Sequence, residues 1–210
     1  KPYPYKQGFR IVVGDKGVGI IGESDLATSY GIYEILHELG CRWYIPSDMG
    51  ESIPHAKTIS LKNRDVSLTP STNFRALWHY DDNYSRRNRC GGLPLAAGHA
   101  LEFYVTKEDR EKHPEIRGEI NGESEALRLK WSSPVTAKSI ADKIMAGHAA
   151  APAPSWSLSP EDGLYFDESK EDRAIDAGDF DTTNGLVAIT DRLFVLNNRI
   201  ATQVHAKYPE

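Results

Sequence analysis

Short alternating runs open the chain. Residues 9–13 (Phe-Arg-Ile-Val-Val) and 17–22 (Gly-Val-Gly-Ile-Ile-Gly) predict two β-strands. Gly14-Asp15-Lys16 between them is a hairpin signal, because glycine reaches positive φ without a Cβ penalty. The period then changes. Ile32, Ile35, Leu36 and Leu39 fall at i, i+3, i+4 and i+7 and predict one apolar helix stripe, started by Ser24 and Asp25 and stopped by Gly40. Residues 41–45 alternate again, 46–51 read as a turn, and short apolar runs follow at 58–61 and 66–68. The pattern predicts a helix covering one face of a small sheet.

Thr69-Pro70-Ser71-Thr72 is turn-rich and marks an expected domain boundary. Beyond it, apolar strands are predicted at 74–80, 127–131 and 155–159. Ser133-Pro134 starts a helix with Ala137, Ile140, Ala141, Ile144 and Met145 on one face. A second long helix is expected from about Thr183, with Leu186, Ile189, Leu193, Leu196 and Ile200 on its apolar side. Steps of strand, loop and helix select a parallel sheet with right-handed crossovers. A closed barrel needs about eight such steps. The expected fold class is therefore α/β: an accessory α/β domain at 1–69, then the first βα units of a TIM-like barrel at 70–210, incomplete in this chain.

Composition narrows the classes of partner. The chain has 210 residues, 40% of them hydrophobic and 26% charged, which excludes disordered and collagen-like classes. Lys and Arg number 25 against 30 Asp and Glu, a net charge of −5 with no basic stripe, so no nucleic-acid partner is expected. No run approaches the roughly 18 apolar residues of a membrane span, and residues 1–5 lack the apolar core of a signal peptide. The missing initial Met is read as processing. Cys41 and Cys90 match neither a zinc nor a redox motif and are expected as buried thiols. Seven histidines without i, i+4 pairing predict no metal, and Gly14, Gly17, Gly19 and Gly22 miss the nucleotide-loop spacing, so no cofactor is expected. Ten Tyr and four Trp fit either sugar stacking or an aromatic core.

In a βα barrel, functional side chains lie just past the strands. Trp78 and His79 meet that condition: Trp78 as a stacking surface for a pyranose or as buried wall, His79 as a hydroxyl-binding or a surface imidazole. Arg86, Arg87 and Asn88 follow, either binding an acidic sugar in bidentate fashion or solvating a helix. His99 stands beside Gly98, where backbone approaches closely, and Pro114 orients His113. Asp162 either accepts a substrate hydroxyl or belongs to a simple Asp-Gly turn. Asp162, Asp167, Glu168, Glu171 and Asp172 together read as a solvated acidic loop. No nucleophile elbow is present.

The run at 29–46, Ser-Tyr-Gly-Ile-Tyr-Glu-Ile-Leu-His-Glu-Leu-Gly-Cys-Arg-Trp-Tyr-Ile-Pro, resembles the segment before the barrel in bacterial glycoside hydrolases that include α-glucuronidases and β-N-acetylhexosaminidases. Arg86-Arg87-Asn88-Arg89, Gly98-His99, His113-Pro114-Glu115 and the run at 157–162 stand in an order similar to a related bacterial family known as a domain of unknown function. The resemblance implies a hexosaminidase domain-2-like α/β unit beside a TIM-like barrel. It implies that Arg75, in Asn73-Phe74-Arg75, binds hydroxyls of a terminal sugar; pairing with a carboxylate is the other reading. It places the catalytic Asp-Glu pair after a fourth barrel strand, so the catalytic residues are not assigned in this chain. The expected function is part of a glycoside hydrolase acting on oligo- or polysaccharide, acidic sugars among them. The alternative is a non-catalytic carbohydrate-binding or interaction module that covers its open sheet edge with a partner. Expected partners are a carbohydrate and either a second copy or the rest of a parent chain, in a periplasmic or secreted location.

Overall fold

The computed structural model describes residues 4–77, 81–163, 165–180 and 185–209. The chain is mixed α/β, with small antiparallel sheets, and divides into two compact units, Lys1–Pro94 and Leu95–Glu210.

In the first unit the opening pattern forms the predicted hairpin, β1 (Phe9–Gly14) and β2 (Gly17–Gly22), in register from Phe9 opposite Gly22 to Gly14 opposite Gly17. Alternation in β1 turns Phe9, Ile11 and Val13 inward. The helix α1 (Asp25–Glu38) starts where Ser24 Oγ accepts the Ala27 N–H, and Gly40 follows its end at φ +95°. Its sheet-facing residues differ from the expected stripe: Ala27, Tyr30 and Gly31 are buried, whereas Ile32 is exposed. Close approach explains this, because a Cβ on Gly31 would lie 2.4 Å from Ile20 Cγ2. Leu36 instead joins Tyr33 against a small cluster of Cys41, Trp43 and Tyr84. The strands β3 (Arg42–Trp43) and β4 (Glu51–Ser52) form a two-residue ladder, and β5 (Arg64–Leu68) completes the sheet in the order β2-β1-β5. Residues 58–61 form no strand.

The boundary expected near Thr69 lies inside this unit. Residues 69–94 stay with it through definite bonds: Tyr30 Oη donates to the Cys90 carbonyl, Tyr84 Oη to the Tyr44 carbonyl at 2.8 Å, and Arg75 to Gln7. Of the predicted strand at 74–80, the described residues 74–77 form only β6 (Phe74–Arg75), antiparallel to β7 (Gly91–Gly92), with the helix α2 (Asp82–Arg87) between them in sequence; 78–80 lie outside the described residues. Cys41 is buried and Cys90 half-buried, both as free thiols.

The second unit is built on two helices. After the capped turn of α3 (Lys107–Lys112) comes a hairpin of β8 (Arg117–Ile120) and β9 (Glu123–Leu129), closed by Asn121-Gly122 at φ +51° and +79°. These are the angles a type I′ turn demands, and Asn-Gly is the pair that accepts them most readily. The strand expected at 127–131 therefore pairs backward with β8 and antiparallel. The helix α4 (Pro134–Ala150) begins at the predicted Ser133-Pro134 and buries Ala137, Ile140, Ala141 and Ile144. It packs on Leu196 and Ile200 of α6 (Thr190–Lys207), with the four-residue α5 (Lys170–Arg173) between them in sequence. That last helix starts at Thr190; Thr183 lies outside the described residues. Each buried Leu or Ile contributes roughly 1.5–3 kcal/mol, so this helix pair supplies much of the unit's cohesion.

Residues 155–159 form no strand of their own. They run beside 96–102, where His99 and Ser159 make the one parallel bridge among the described residues. Ser155 Oγ accepts the Ala96 N–H at 2.6 Å and the Ser159 carbonyl accepts from Ala100 and Leu101.

Candidate functional site

The second unit carries a cleft of about 650 Å³. One wall is the hairpin, which contributes Ile120, Glu125, Leu127 and Arg128. The other comes from the short helical turn Glu102–Tyr104, from Arg110 on α3 and from Glu161, Asp162 and Tyr165. The bracing of 96–102 along 155–159 is what brings Glu102 beside Glu161, whose backbone N–H donates to Glu102 Oε2 at 3.0 Å.

Glu102 is only 8% exposed. Burial pushes its carboxyl above the ordinary carboxylate range; the Glu161 N–H bond pulls against that shift. A carboxyl that keeps its proton near neutrality can serve as a general acid, provided a substrate oxygen reaches it. Glu125, Glu161 and Asp162 supply three further carboxyls. Two rings stand open to solvent at the same cleft, Phe103 at 75% and Tyr165 at 65% exposure. An exposed ring face matches the apolar C–H face of a pyranose.

Among the described residues, Glu161 and Arg110, which line the cleft, each have a buried side-chain atom without a hydrogen-bond partner, Glu161 Oε1 and Arg110 Nε. Arg110 Nη2 donates to the Glu102 carbonyl at 3.2 Å. Arg128 lies over the Phe166 ring, 5.4 Å from its centroid. Glu125 Oε1 accepts the Leu127 N–H at 2.8 Å.

Of the residues singled out from sequence, Asp162 lines this cleft and His99 stands beside it. His99 Nε2 lies 3.3 Å from Asp162 Oδ2, and its Nδ1 lies 2.6 Å from the Pro160 carbonyl. That carbonyl bond, with the nearby acid charges, raises the His99 pKa. Asp162 itself is 93% exposed. Trp78 and His79 lie outside the described residues.

Arg75, Arg87 and Asn88 belong to the first unit. Arg75 and Asn88 share a 390 Å³ cleft with Tyr30 and Arg89. The Arg75 guanidinium is drawn into the chain itself, donating to the carbonyls of Arg89 at 3.0 Å and Thr72 at 3.1 Å and to the Gln7 side chain. Arg87 pairs with Glu51 and lies over the Trp43 ring. Asn88 Nδ2 donates to the Tyr84 carbonyl at 3.1 Å, which fastens the end of α2. His113 stands 3.4 Å from Glu115 and belongs to neither cleft.

The acidic loop is not uniformly solvated. Asp167 and Asp172 are buried. Asp167 accepts the N–H of Glu119 at 2.5 Å and of Ser169 at 3.3 Å. Asp172 accepts the N–H of Trp131 at 3.1 Å and of Ser132 at 2.7 Å. Arg192, with no exposed surface, closes the cluster: it grips Asp176 through two nitrogens, reaches Asp172 Oδ2 at 3.4 Å and donates to the Asp167 carbonyl at 2.5 Å. The adjacent pair Asp167-Glu168 is thus divided between a buried cluster and a half-buried position.

Sequence reasoning missed Glu102 and Arg110, which stand in no motif, and passed over Glu161 although it lies in the run at 157–162; the Thr106-Asp109 capping box that starts α3 is the one nearby signal, and it marks only the helix that carries Arg110. Compared with family models, with curated proteins and with solved structures, the chain matches none.

Proposed function

We propose that the second unit binds a saccharide in the Glu102 cleft and that the chain is part of a glycoside hydrolase, with Glu102 as the acid that protonates the leaving oxygen. The observation that carries this reading is a buried carboxyl of raised pKa lining a cleft beside three other carboxyls and two open aromatic rings. Glycosidic hydrolysis asks for that asymmetry between acids: one kept protonated, another ionised across the sugar. Asp162, exposed at the same cleft and 3.3 Å from His99, is the second carboxyl of the pair. On this reading residues 70–210 are the opening of a (β/α) barrel; the parallel bridge of His99 with Ser159 favours it, whereas the strand before α4 pairs antiparallel.

The test uses 4-nitrophenyl glycosides and glucuronides as substrates, with binding of the same sugars followed by calorimetry. Glu102→Gln should lower turnover by about 10²-fold or more while leaving binding within a few-fold, as expected for loss of a proton donor. Turnover unchanged in Glu102→Gln removes the acid role. Binding without any turnover by the unaltered chain identifies a non-catalytic carbohydrate-binding module. Absence of both removes the saccharide reading.

A further inference from the structure

Both ring nitrogens of His99 face acceptors. Nδ1 lies 2.6 Å from the Pro160 carbonyl and Nε2 lies 3.3 Å from Asp162 Oδ2. A carbonyl oxygen only accepts, so Nδ1 carries a proton and donates it there. A carboxylate oxygen only accepts as well, so Nε2 bonds to Asp162 when it too carries a proton. A neutral imidazole has one proton for these two acceptors; an imidazolium satisfies both. The two partners differ in how firmly they are held. The His99 backbone makes the parallel bridge with Ser159, the Ala100 and Leu101 N–H groups donate to the Ser159 carbonyl, and Ser157 Oγ donates to the Gly98 carbonyl at 2.6 Å. The Asp162 side chain is 93% exposed, and His99 is the one partner its carboxylate has among the described residues. A fixed donor therefore meets an acceptor that nothing else holds.

We propose that His99 is a positioning residue for Asp162: as an imidazolium it holds that carboxylate at the edge of the Glu102 cleft, and on losing its Nε2 proton it releases it. The Pro160 bond, then the charges of Asp162, Glu161 and Glu102, raise the His99 pKa against the opposing effect of burial. The hold is therefore complete on the acid side and is lost as pH rises through that raised value. These acids come from both stretches packed on the ring, Asp162 and Glu161 from the segment beside it and Glu102 from the helical turn after it. Tyr104, on the same turn, donates its hydroxyl to the Ser157 carbonyl, and Arg110 and Arg128, which line the cleft, keep their charge throughout. Rising pH thus acts on both carboxyls of the pair, stopping Glu102 from donating and freeing Asp162. The effect on turnover rests on the hydrolase reading proposed above; the hold of His99 on Asp162 does not.

The experiment titrates the histidine side chains of the full chain by ¹⁵N NMR, with His99→Gln identifying the His99 signals. At high pH the neutral ring should carry its proton on Nδ1, where the Pro160 carbonyl keeps it. Asp162→Asn, a change at an exposed position, should move the His99 midpoint to lower pH, because the neutral amide no longer favours the imidazolium. A proton on Nε2 at high pH, or a midpoint unmoved by Asp162→Asn, overturns the proposal. Turnover of 4-nitrophenyl glycosides supplies the second readout. His99→Leu should lower kcat about tenfold or more on the acid side with KM within a few-fold. His99→Gln keeps an N–H that does not titrate, so it should restore much of that loss and leave only the part of the alkaline decline that belongs to Glu102. A kcat in His99→Leu equal to that of the unaltered chain overturns the positioning role. If the unaltered chain turns over no glycoside, the hydrolase reading falls, while the NMR titration still decides whether His99 holds Asp162.

Discussion

Two groups of acidic side chains in the second unit come from adjoining stretches of chain and meet opposite fates. Asp167, Asp172 and Asp176 are supplied with donors from the backbone of Glu119, Trp131, Ser132 and Ser169 and from Arg192. A few residues earlier, Glu161 holds one carboxylate oxygen buried with no protein donor among the described residues, and Glu102 is held above its ordinary pKa by burial. Burial is common to both groups, so burial does not tell them apart. What separates them is whether each oxygen has been answered from within the chain. The answered group works as a clamp; the other leaves Glu102 at the cleft wall with its pKa raised by burial.

That contrast is open to direct attack. The largest effect should come from Arg192→Met, which strands Asp172 and Asp176 without their counter-charge and should lower the unfolding free energy by about 3–5 kcal/mol. A denaturant titration reads this as a shift in midpoint; a loss under about 1 kcal/mol would show that Arg192 is not what holds the aspartates. Next is a dependence on pH. Folding raises the pKa of Glu102, so the folded chain holds a proton that the unfolded chain has released. Its contribution to stability is full below the unfolded carboxylate range and declines as pH rises through the folded value. Glu102→Gln should flatten part of that decline, as seen in unfolding free energies measured from acid to neutral pH. Burial raises Asp172 as well, and its decline of the same sign remains in the variant. An unchanged pH profile would place the shift elsewhere. Smallest of all, Asp142→Ala removes an exposed i, i+4 partner of Lys138 and should change stability by no more than about 0.5 kcal/mol. A larger change would mean that solvent exposure does not set the scale for these acids.

Sequence and structure agree where a local rule governs. Ser24 and Gly40 bound the first helix, and Ser133-Pro134 opens the helix that buries Ile140 and Ile144. They part where the deciding contact is distant or involves no bulk. Its spacing puts Ile32 in the core, yet Gly31 is what allows the helix to settle onto Ile20, and a residue without a side chain carries no hydrophobic signal. The run at 127–131 has strand character but nothing in its own pattern names its neighbour; Asn121-Gly122, just before it, was the legible clue to a hairpin. Glu102 lay in no recognisable motif because its environment is made by 157–161, more than fifty residues along the chain, through bonds such as Tyr104 Oη to the Ser157 carbonyl. The acidic loop misled for a similar reason. Its composition matches a solvated turn, and only Arg192 reveals that part of it faces inward.

The hairpin that walls the cleft is a two-stranded ribbon, a form with little stability of its own. It is moored along one side: Glu168 donates its N–H to the Glu119 carbonyl at 2.7 Å, Asp167 accepts from Glu119, and Glu168 Oε2 accepts from Asn121 at 2.8 Å. Asp167 is in turn gripped at its carbonyl by Arg192. A helix residue with no exposed surface thereby steadies the ribbon that walls the cleft, so loosening Arg192 is expected to distort the cleft before the unit as a whole comes apart.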